Sequence, residues 1–204
     1  MVTVLCRADT NIAEACRKAR EHCASVAPRS QSGQETSPYC AVSNYLFPQG
    51  RIIAGHVEAI KYLEDNSIEL GLKKVRRLPV SGAFHTPLME PAVEVFREAL
   101  KRAKLGEPQI AVHSNVNGKR YRDSRHVIKQ LPNQIVAPVK WEQTMHIMYE
   151  RSKEDEPKFP NTYECGPGNS LATMLKMVNA KAWQSCKSVM VQFTLQSTCP
   201  LYSV

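Results

Sequence analysis

One histidine in the middle of the chain has the best setting for chemistry. Residues 78–89 read LPVSGAFHTPLM, which places His85 between the predicted end of a strand and the predicted start of a helix. A neutral imidazole at such a junction can accept a proton as a general base. Taken by itself, however, the pattern favours a packed or capping histidine over a catalytic one.

Metal and disulfide chemistry have less support. The seven cysteines are scattered, without Cys-x-x-Cys pairs and without histidines at zinc-ligand spacing. Cys16 and Cys23 lie one heptad apart on a predicted helix, where they are best interpreted as small buried apolar side chains. We therefore assign no metal site, and the cysteine usage favours a reducing compartment.

Composition limits the partners without choosing among them. The chain carries 27 Lys and Arg against 19 Asp and Glu, a formal charge of +8 that would attract nucleic acid, an acidic carrier protein or a polyphosphorylated cofactor. No stretch reaches the roughly 18 apolar residues of a membrane-spanning helix, so no membrane span is predicted. Residues 1–6 are typical of a strand rather than of a secretory signal or another readable presequence.

The elements that must position the histidine begin with a predicted βαββαβ unit over residues 1–80, the ferredoxin-like order. Period-two and period-3.6 apolar patterns, separated by turn residues, support this order. The predicted strands are residues 1–6, 40–47, 51–54 and 74–80, and the predicted helices contain residues 12–23 and 57–63. Residues 24–38 are rich in Ser, Gln and Pro and are predicted to be a loop or an insertion.

The same βαββαβ order occurs in RNA-recognition modules, which gives a test of the nucleic-acid alternative. Those modules stack bases on aromatic side chains of the central strands. The corresponding strands here, residues 1–6 and 51–54, contain no aromatic residue. No nucleic-acid partner is therefore predicted.

After residue 80 the pattern changes to helices that alternate with short strands, as in an α/β layer. Residues 81–183 form this second predicted region, with strands at 110–112 and 162–165 and a tight Gly-Pro-Gly turn at 166–168. Pro132 is expected to shorten the helix that precedes Gln134. Residues 184–204 are an uncertain tail, whose apolar run at 189–195 is either a terminal strand or an altered end.

Several long runs give a resemblance to a known family. From residue 1 to about residue 183 the chain resembles the C-terminal part of the malonyl-CoA:acyl carrier protein transacylases, especially the animal mitochondrial form. The matching runs are VSNYLF at 42–47, VSGAFHT at 80–86, LMEPAVE at 88–94, SNV at 114–116, APVKWEQTMH at 137–146 and ECGPG at 164–168. The resemblance implies an α/β fold, in which the ferredoxin-like subdomain is followed by the C-terminal part of an α/β-hydrolase-like acyltransferase domain.

The resemblance also implies a reaction and two catalytic positions. In this family a serine attacks the malonyl thioester, and a histidine takes its proton and returns it to the CoA thiol before activating the phosphopantetheine thiol of acyl carrier protein. His85 occupies the place of that histidine. Gln134 occupies the place of the residue whose backbone carbonyl supports the second ring nitrogen. Malonyl-CoA is then the substrate, acyl carrier protein the partner, and no tightly bound cofactor is expected.

Two further positions are candidates for substrate contact. By resemblance, Phe84 takes up the space that a 2-methyl branch of the acyl group would need, although simple core packing explains a buried aromatic equally well. Asn115 matches a position near the family's site, and an asparagine that satisfies backbone groups at a strand end is an equally good explanation.

The family's nucleophile lies in a Gly-x-Ser-x-Gly elbow, and no such pentapeptide occurs in the 204 residues. We therefore expect the nucleophile, and the arginine that pairs with the malonyl carboxylate, to be absent from this chain. The chain is then either a fragment or a natural short product, marginally stable and inactive alone. The alternative function is a noncatalytic module that binds the carrier protein.

Location and charge complete these expectations. A mitochondrial matrix location follows from the resemblance alone. The basic runs at 73–77 and 119–122 are candidate contacts for an acidic carrier protein, and ordinary solvated faces explain them equally well.

Overall fold

A computed structural model of the chain describes residues 1–26, 37–151 and 158–189. The chain divides into two compact units, Met1–Glu150 and Arg151–Val204. The predicted boundary after residue 80 lies inside the first unit and stays a prediction. The predicted loop at 24–38 and the predicted tail lie largely outside the described residues, although residues 24–26 continue a helix.

The first unit begins with the predicted βαββαβ order. The elements are β1 (Val2–Cys6), α1 (Ile12–Val26), β2 (Cys40–Phe47), β3 (Gly50–Gly55), α2 (Val57–Asp65) and β4 (Leu72–Arg77). The strands form one sheet in the order β4-β1-β3-β2, with every neighbouring pair antiparallel. A fifth short strand, β5 (Val139–Lys140), joins β2 in parallel.

One face of this sheet and the two helices enclose the core. Val2, Val4 and Cys6 are buried in β1 and alternate with half-buried residues, as expected for a strand with one covered face. Cys16 and Cys23 are buried on α1, which packs against α2 and β2. The interpretation of these two cysteines as core side chains is therefore confirmed.

The rest of the first unit is mainly helical. A single 3-10 turn (Pro87–Met89) leads into α3 (Pro91–Arg102), followed by α4 (Ser124–Gln130), α5 (Asn133–Val136), β5 and α6 (Trp141–Tyr149). Pro132 separates α4 from α5, as predicted, because its ring prevents a continuous helix. α6 packs against β2, and its Glu142 forms an ion pair with Arg51 of β3 at 3.0 Å.

The buried strand predicted at residues 110–112 is wrong. Ile110 is 77% exposed, and neither sheet of the described residues includes this segment. The segment that follows, residues 113–120, forms a turn that is closed by an isolated bridge between His113 and Arg120. An apolar run becomes a strand only where another strand offers its backbone groups, and no described strand lies beside this one.

The second unit contains a parallel strand pair. Its elements are β6 (Thr162–Cys165), α7 (Ser170–Val178), α8 (Ala180–Trp183) and β7 (Cys186–Val189), with β6 parallel to β7. The predicted strand at 162–165 and the Gly-Pro-Gly turn are confirmed. Glu164 secures the turn, because its carboxylate accepts hydrogen bonds from the backbone N–H groups of Leu171 and Ala172 at 2.9 and 2.8 Å.

Candidate active site

His85 lies on a turn between β4 and the 3-10 turn, with an unusual backbone. Its φ angle is +62°, in the left-handed region that residues other than glycine rarely adopt. Such a conformation costs roughly 1–2 kcal/mol and persists only where surrounding contacts enforce it. The contacts around His85 are therefore part of the site.

Two consecutive carbonyl groups hold His85. Its backbone N–H donates to the carbonyl oxygen of Ile135 at 3.0 Å. Its ring Nδ1 lies 2.7 Å from the carbonyl oxygen of Gln134. Both acceptors belong to α5, a four-residue helix whose last carbonyls have no partner within the helix. The helix end therefore presents paired acceptors, and His85 satisfies both.

The Gln134 contact determines which ring nitrogen carries the proton. A carbonyl oxygen can only accept, so Nδ1 must donate to it and the neutral ring is the Nδ1–H tautomer. The side-chain nitrogen of Gln134 also lies 3.3 Å from Nδ1, but an Nδ1 that bears hydrogen cannot accept from it. The lone pair is therefore on Nε2, which is the nitrogen available as a base.

The sheet determines where α5 lies. Pro132, which is fully buried, starts the helix, and the backbone N–H of Ala137 bonds to the carbonyl oxygen of Asn133 at 2.8 Å. Two residues later the chain pairs with β2, with Val139 opposite Asn44. The position of the Gln134 carbonyl thus depends on the β2–β5 pairing.

An open apolar cavity of about 320 Å³ lies beside His85. Phe84, 38% exposed, is one wall, so it is not simply part of the buried core. The lining consists of Phe84, His85, Met89, Ala92, Phe96, Leu131, Gln134 and Ile135. Three of the predicted site residues, Phe84, His85 and Gln134, therefore come together at one cavity.

Asn115 does not line this cavity. It is exposed on the turn at 113–120, and its backbone carbonyl accepts a hydrogen bond from the N–H of Lys140 at 2.8 Å. Gly118 in the same turn has a φ of +73°, and a Cβ there would meet Ile147 and Thr144 at 3.0 and 3.3 Å. The turn therefore packs closely on α6, and the main-chain contact of Asn115 is structural.

Successive side chains of the basic run in β4 point to opposite faces of the sheet. Lys74 and Arg76 pair with Leu5 and Thr3 of β1, and all four line a second cavity of about 510 Å³. Arg77 also borders this cavity, but its guanidinium donates through Nε to Glu64 of α2 at 3.0 Å. Lys74 and Arg76 thus lie on the cavity side and form no ion pair with any residue that the structure describes.

Two features of the site were missed by the sequence reasoning. The Ile135 carbonyl and the positive φ of His85 have no residue-type signature, because both are main-chain features.

The described residues were also compared with the requirements of a metal site and of a membrane span. Among residues 1–26, 37–151 and 158–189, no group of three or more His, Cys, Asp or Glu side chains is arranged to hold a metal ion. Within the same ranges, no helix has both the length and the hydropathy needed to cross a bilayer.

Comparison with known proteins identifies homologues of this chain. No protein-family model matches it. The probable mitochondrial malonyl-CoA-acyl carrier protein transacylase of Drosophila melanogaster is 50% identical over 189 residues, which are 93% of this chain and 48% of that protein. The mitochondrial malonyl-CoA-acyl carrier protein transacylase of Homo sapiens is 48% identical over 196 residues, 96% of this chain and 48% of that protein.

Solved structures agree on the fold. The malonyl CoA-acyl carrier protein transacylase of Coxiella burnetii superposes with a TM-score of 0.73 at 22% identity, over 92% of this chain and 52% of that one. A malonyl-transacylase in complex with a type II PKS acyl-carrier protein gives a TM-score of 0.66 at 23% identity, over 92% and 53% of the two chains. At these identities the likeness shows the fold alone, an α/β acyltransferase fold.

The chain spans about half the length of the curated relatives that it matches. Within that span, nearly every residue of the chain takes part in the match. The chain is therefore homologous, over almost all of its length, to part of the mitochondrial malonyl-CoA-acyl carrier protein transacylases.

Proposed function

We propose that this chain carries the histidine half of a malonyl-CoA:acyl carrier protein transacylase of mitochondrial fatty-acid synthesis. The observation that supports this most directly is the orientation of His85, whose Nδ1 is bonded to the Gln134 carbonyl so that Nε2 is free to take a proton. The homologues named above are mitochondrial transacylases, which supports the same location for this chain.

In the proposed reaction Nε2 of His85 acts twice. It first accepts the proton of a serine hydroxyl as the serine attacks the malonyl thioester, and it then gives that proton to the departing CoA thiol. In the second half-reaction Nε2 deprotonates the phosphopantetheine thiol of acyl carrier protein, which attacks the malonyl-serine ester, and Nε2 then returns the proton to the departing serine oxygen. The Gln134 carbonyl keeps the ring in the required tautomer and stabilises the imidazolium between these steps. No tightly bound cofactor takes part.

The serine and the carboxylate-binding arginine are proposed to come from polypeptide outside these 204 residues. The sequence contains no Gly-x-Ser-x-Gly elbow. The cavity beside His85 is lined by apolar groups apart from His85 and Gln134, and among the residues that the structure describes no Lys or Arg lines it to pair with a malonyl carboxylate. Phe84, as one wall of this cavity, is proposed to limit branching at the malonyl C2, and Asn115 is proposed as a more distant contact.

The architecture is proposed to follow the family. Residues 1–80 would form the ferredoxin-like subdomain, which the antiparallel order β4-β1-β3-β2 supports. Residues 81–183 would form the C-terminal part of the α/β-hydrolase-like domain. Residues 184–204 are left as a tail of undefined role.

Acyl carrier protein is the proposed macromolecular partner. One structural neighbour was solved as a transacylase with an acyl-carrier protein bound, and this chain has a net charge of +8. Lys74 and Arg76 are proposed as contacts with the acidic carrier, since Arg77 is already paired with Glu64.

The proposed function is tested with a chimera, in which this chain replaces the 196 matching residues of the human relative. We expect the chimera to transfer malonyl from malonyl-CoA to holo acyl carrier protein. The His85→Ala chimera should lose about 10²–10⁴-fold in kcat, the usual contribution of a general acid–base. An active chimera that does not respond to His85→Ala would contradict the assignment.

A noncatalytic carrier-binding module is the second candidate, and the missing serine elbow is the observation that favours it. Binding and transfer assays on the isolated chain, together with the transfer assay on the chimera, distinguish the two functions. Binding of acyl carrier protein that weakens with salt, without transfer by either the chain or the chimera, supports the module. Transfer by the chain alone that disappears in His85→Ala would instead place a nucleophile within these residues.

A further inference from the structure

Thr86, the residue after His85, forms one hydrogen bond through its hydroxyl and another through its backbone carbonyl. Its side chain is fully buried, and its Oγ1 donates to the carbonyl oxygen of Ala83 at 2.6 Å. Its own carbonyl oxygen accepts the backbone N–H of Met89 at 3.0 Å. The first bond closes a loop that contains only Phe84 and His85, and the second ties that loop to the 3-10 turn.

This closure acts on the strained residue. His85 has a φ of +62°, which a histidine does not hold without external constraint. The α5 carbonyls constrain it from one side, through the His85 N–H and the ring Nδ1. The Thr86 hydroxyl constrains it from the chain itself, because it holds the Ala83 and Thr86 ends of the turn together.

We propose that Thr86 is a positioning residue, whose hydroxyl keeps the His85 ring on the Gln134 carbonyl and thereby fixes Nε2 as the proton-accepting nitrogen. The inference rests on the function proposed for His85. Thr86 itself does not touch substrate; it acts through the backbone of His85.

If the role of Thr86 is only to fill space, removing its hydroxyl should leave the tautomer of His85 unchanged. Thr86 is fully buried, so its methyl group alone would also favour threonine there. Valine has nearly the same shape without the hydroxyl, whereas serine keeps the hydroxyl without the methyl. Thr86→Val and Thr86→Ser therefore separate the hydrogen bond from the packing.

The test is the tautomer of His85 in the full chain, read from long-range nitrogen–proton NMR correlations of histidine-labelled protein. We expect the parent and Thr86→Ser to show the Nδ1–H form. In Thr86→Val the ratio of Nδ1–H to Nε2–H should fall about fivefold, the effect of losing one hydrogen bond of ordinary strength. His113 is the internal control, because its Nδ1 lies 2.7 Å from the Gly118 carbonyl oxygen, in a turn that Thr86 does not contact through a hydrogen bond.

An unchanged His85 tautomer in a folded Thr86→Val protein would overturn the proposal. If Thr86→Val does not fold, Thr86→Ala and Thr86→Ser form the second comparison, since both lack the methyl and only serine keeps the hydroxyl. Equal tautomer ratios in that pair would also overturn it. The readout needs no malonyl transfer, so a wrong proposed function would leave this result unaffected and would appear only in the chimera assay.

Discussion

At the scale of single residues, the site depends on main-chain geometry around one imidazole. His85 combines a positive φ with two hydrogen bonds to consecutive carbonyls of α5. The bonds compensate for the backbone strain, and in return they orient the ring. Strain of this kind is often found where a side chain must point in one direction for function.

The strain itself can be measured by comparing His85→Gly with His85→Ala. Both variants lose the ring contact, but only alanine keeps a Cβ that opposes a positive φ. We expect the glycine variant to be the more stable, by up to about 1 kcal/mol in urea unfolding. Alanine reduces the conformational entropy of the unfolded chain, which favours folding, but its strain in the left-handed conformation is the larger effect. A more stable alanine variant would show that residue 85 is not left-handed in solution.

The support from Gln134 comes from its backbone, which gives a second prediction. Gln134→Ala keeps the carbonyl that lies 2.7 Å from Nδ1 and removes the amide that lies 3.3 Å from it. We expect the tautomer of His85 to be unchanged in NMR spectra of Gln134→Ala. A shift toward the Nε2–H form would instead mean that the side-chain amide orients the ring.

At the scale of elements, an ion pair joins the sheet to the helix that follows β5. Arg51 of β3 and Glu142 of α6 are 15% and 11% exposed, and the Arg51 guanidinium also lies 5.2 Å from the centre of the Tyr45 ring. The Glu142 Oε2 makes this contact as an ion pair without hydrogen-bond geometry. The pair therefore attaches α6 to the sheet that already includes β5.

Removing one partner should be costly because the other charge stays largely buried. We expect Glu142→Gln to lower the free energy of unfolding by about 2–4 kcal/mol, somewhat less than for a fully buried pair. The matched control is Glu94→Gln, which breaks the exposed pair with Arg97 on α3 and should cost less than about 1 kcal/mol. Equal losses in urea unfolding would show that the Arg51–Glu142 contact does not stabilise the fold.

A second contact between segments depends on pH. The hydroxyl and the backbone N–H of Ser124 donate to the Glu107 carboxylate at 2.6 and 2.9 Å, and these bonds, the hydroxyl's above all, lower the pKa of Glu107. Because the folded-state pKa is depressed, the stabilisation is complete above the unfolded value of about 4.3 and is lost as pH falls through the folded value.

Ser124→Ala tests this contact directly. We expect the pKa of Glu107 to rise toward its ordinary value in the variant, as followed by NMR of the side-chain carboxyl through an acid titration. Glu69, which accepts no such pair of hydrogen bonds from the described residues, serves as the reference carboxyl. An unchanged Glu107 titration would mean that the Ser124 contact is not formed in solution.

At the scale of the whole molecule, the six cysteines that the structure describes differ in burial. Cys6, Cys16, Cys23 and Cys40 are buried in the first unit, whereas Cys165 is exposed and Cys186 is half-buried in the second. Burial also raises the pKa of the Cys6 and Cys23 thiols, which lowers the fraction of reactive thiolate.

We therefore expect alkylation of the native chain to modify Cys165 before any of the four core cysteines. Peptide mass spectrometry after brief treatment with iodoacetamide at neutral pH would locate the modified thiols. The same treatment in urea should modify all of them and is the control. Early modification of Cys16 or Cys40 in native buffer would show that the core of the first unit opens readily.

Much of the first unit was predictable from local sequence. The strand predicted at residues 40–47 coincides with β2, and those at 1–6 and 51–54 lie within a residue or two of β1 and β3. Alternating apolar residues, together with the turn-forming Pro-Gln-Gly segment at residues 48–50, are sufficient to predict such elements. The segment at 110–112 has a similar apolar character and is exposed, because a strand also needs a paired neighbour, which local sequence does not supply.

The sequence by itself determined the histidine, the likeness to an acyltransferase family, and the βαββαβ order of the strands and helices that precede His85. Only the tertiary structure decided the ring nitrogen that is free, the α5 carbonyls that hold the ring, and the buried Thr86 hydroxyl beside it. The physical reason is that these contacts involve backbone groups, which every residue has. A backbone carbonyl becomes part of a site when the fold leaves its oxygen there without a hydrogen-bond partner. The side chain of the same residue does not decide this.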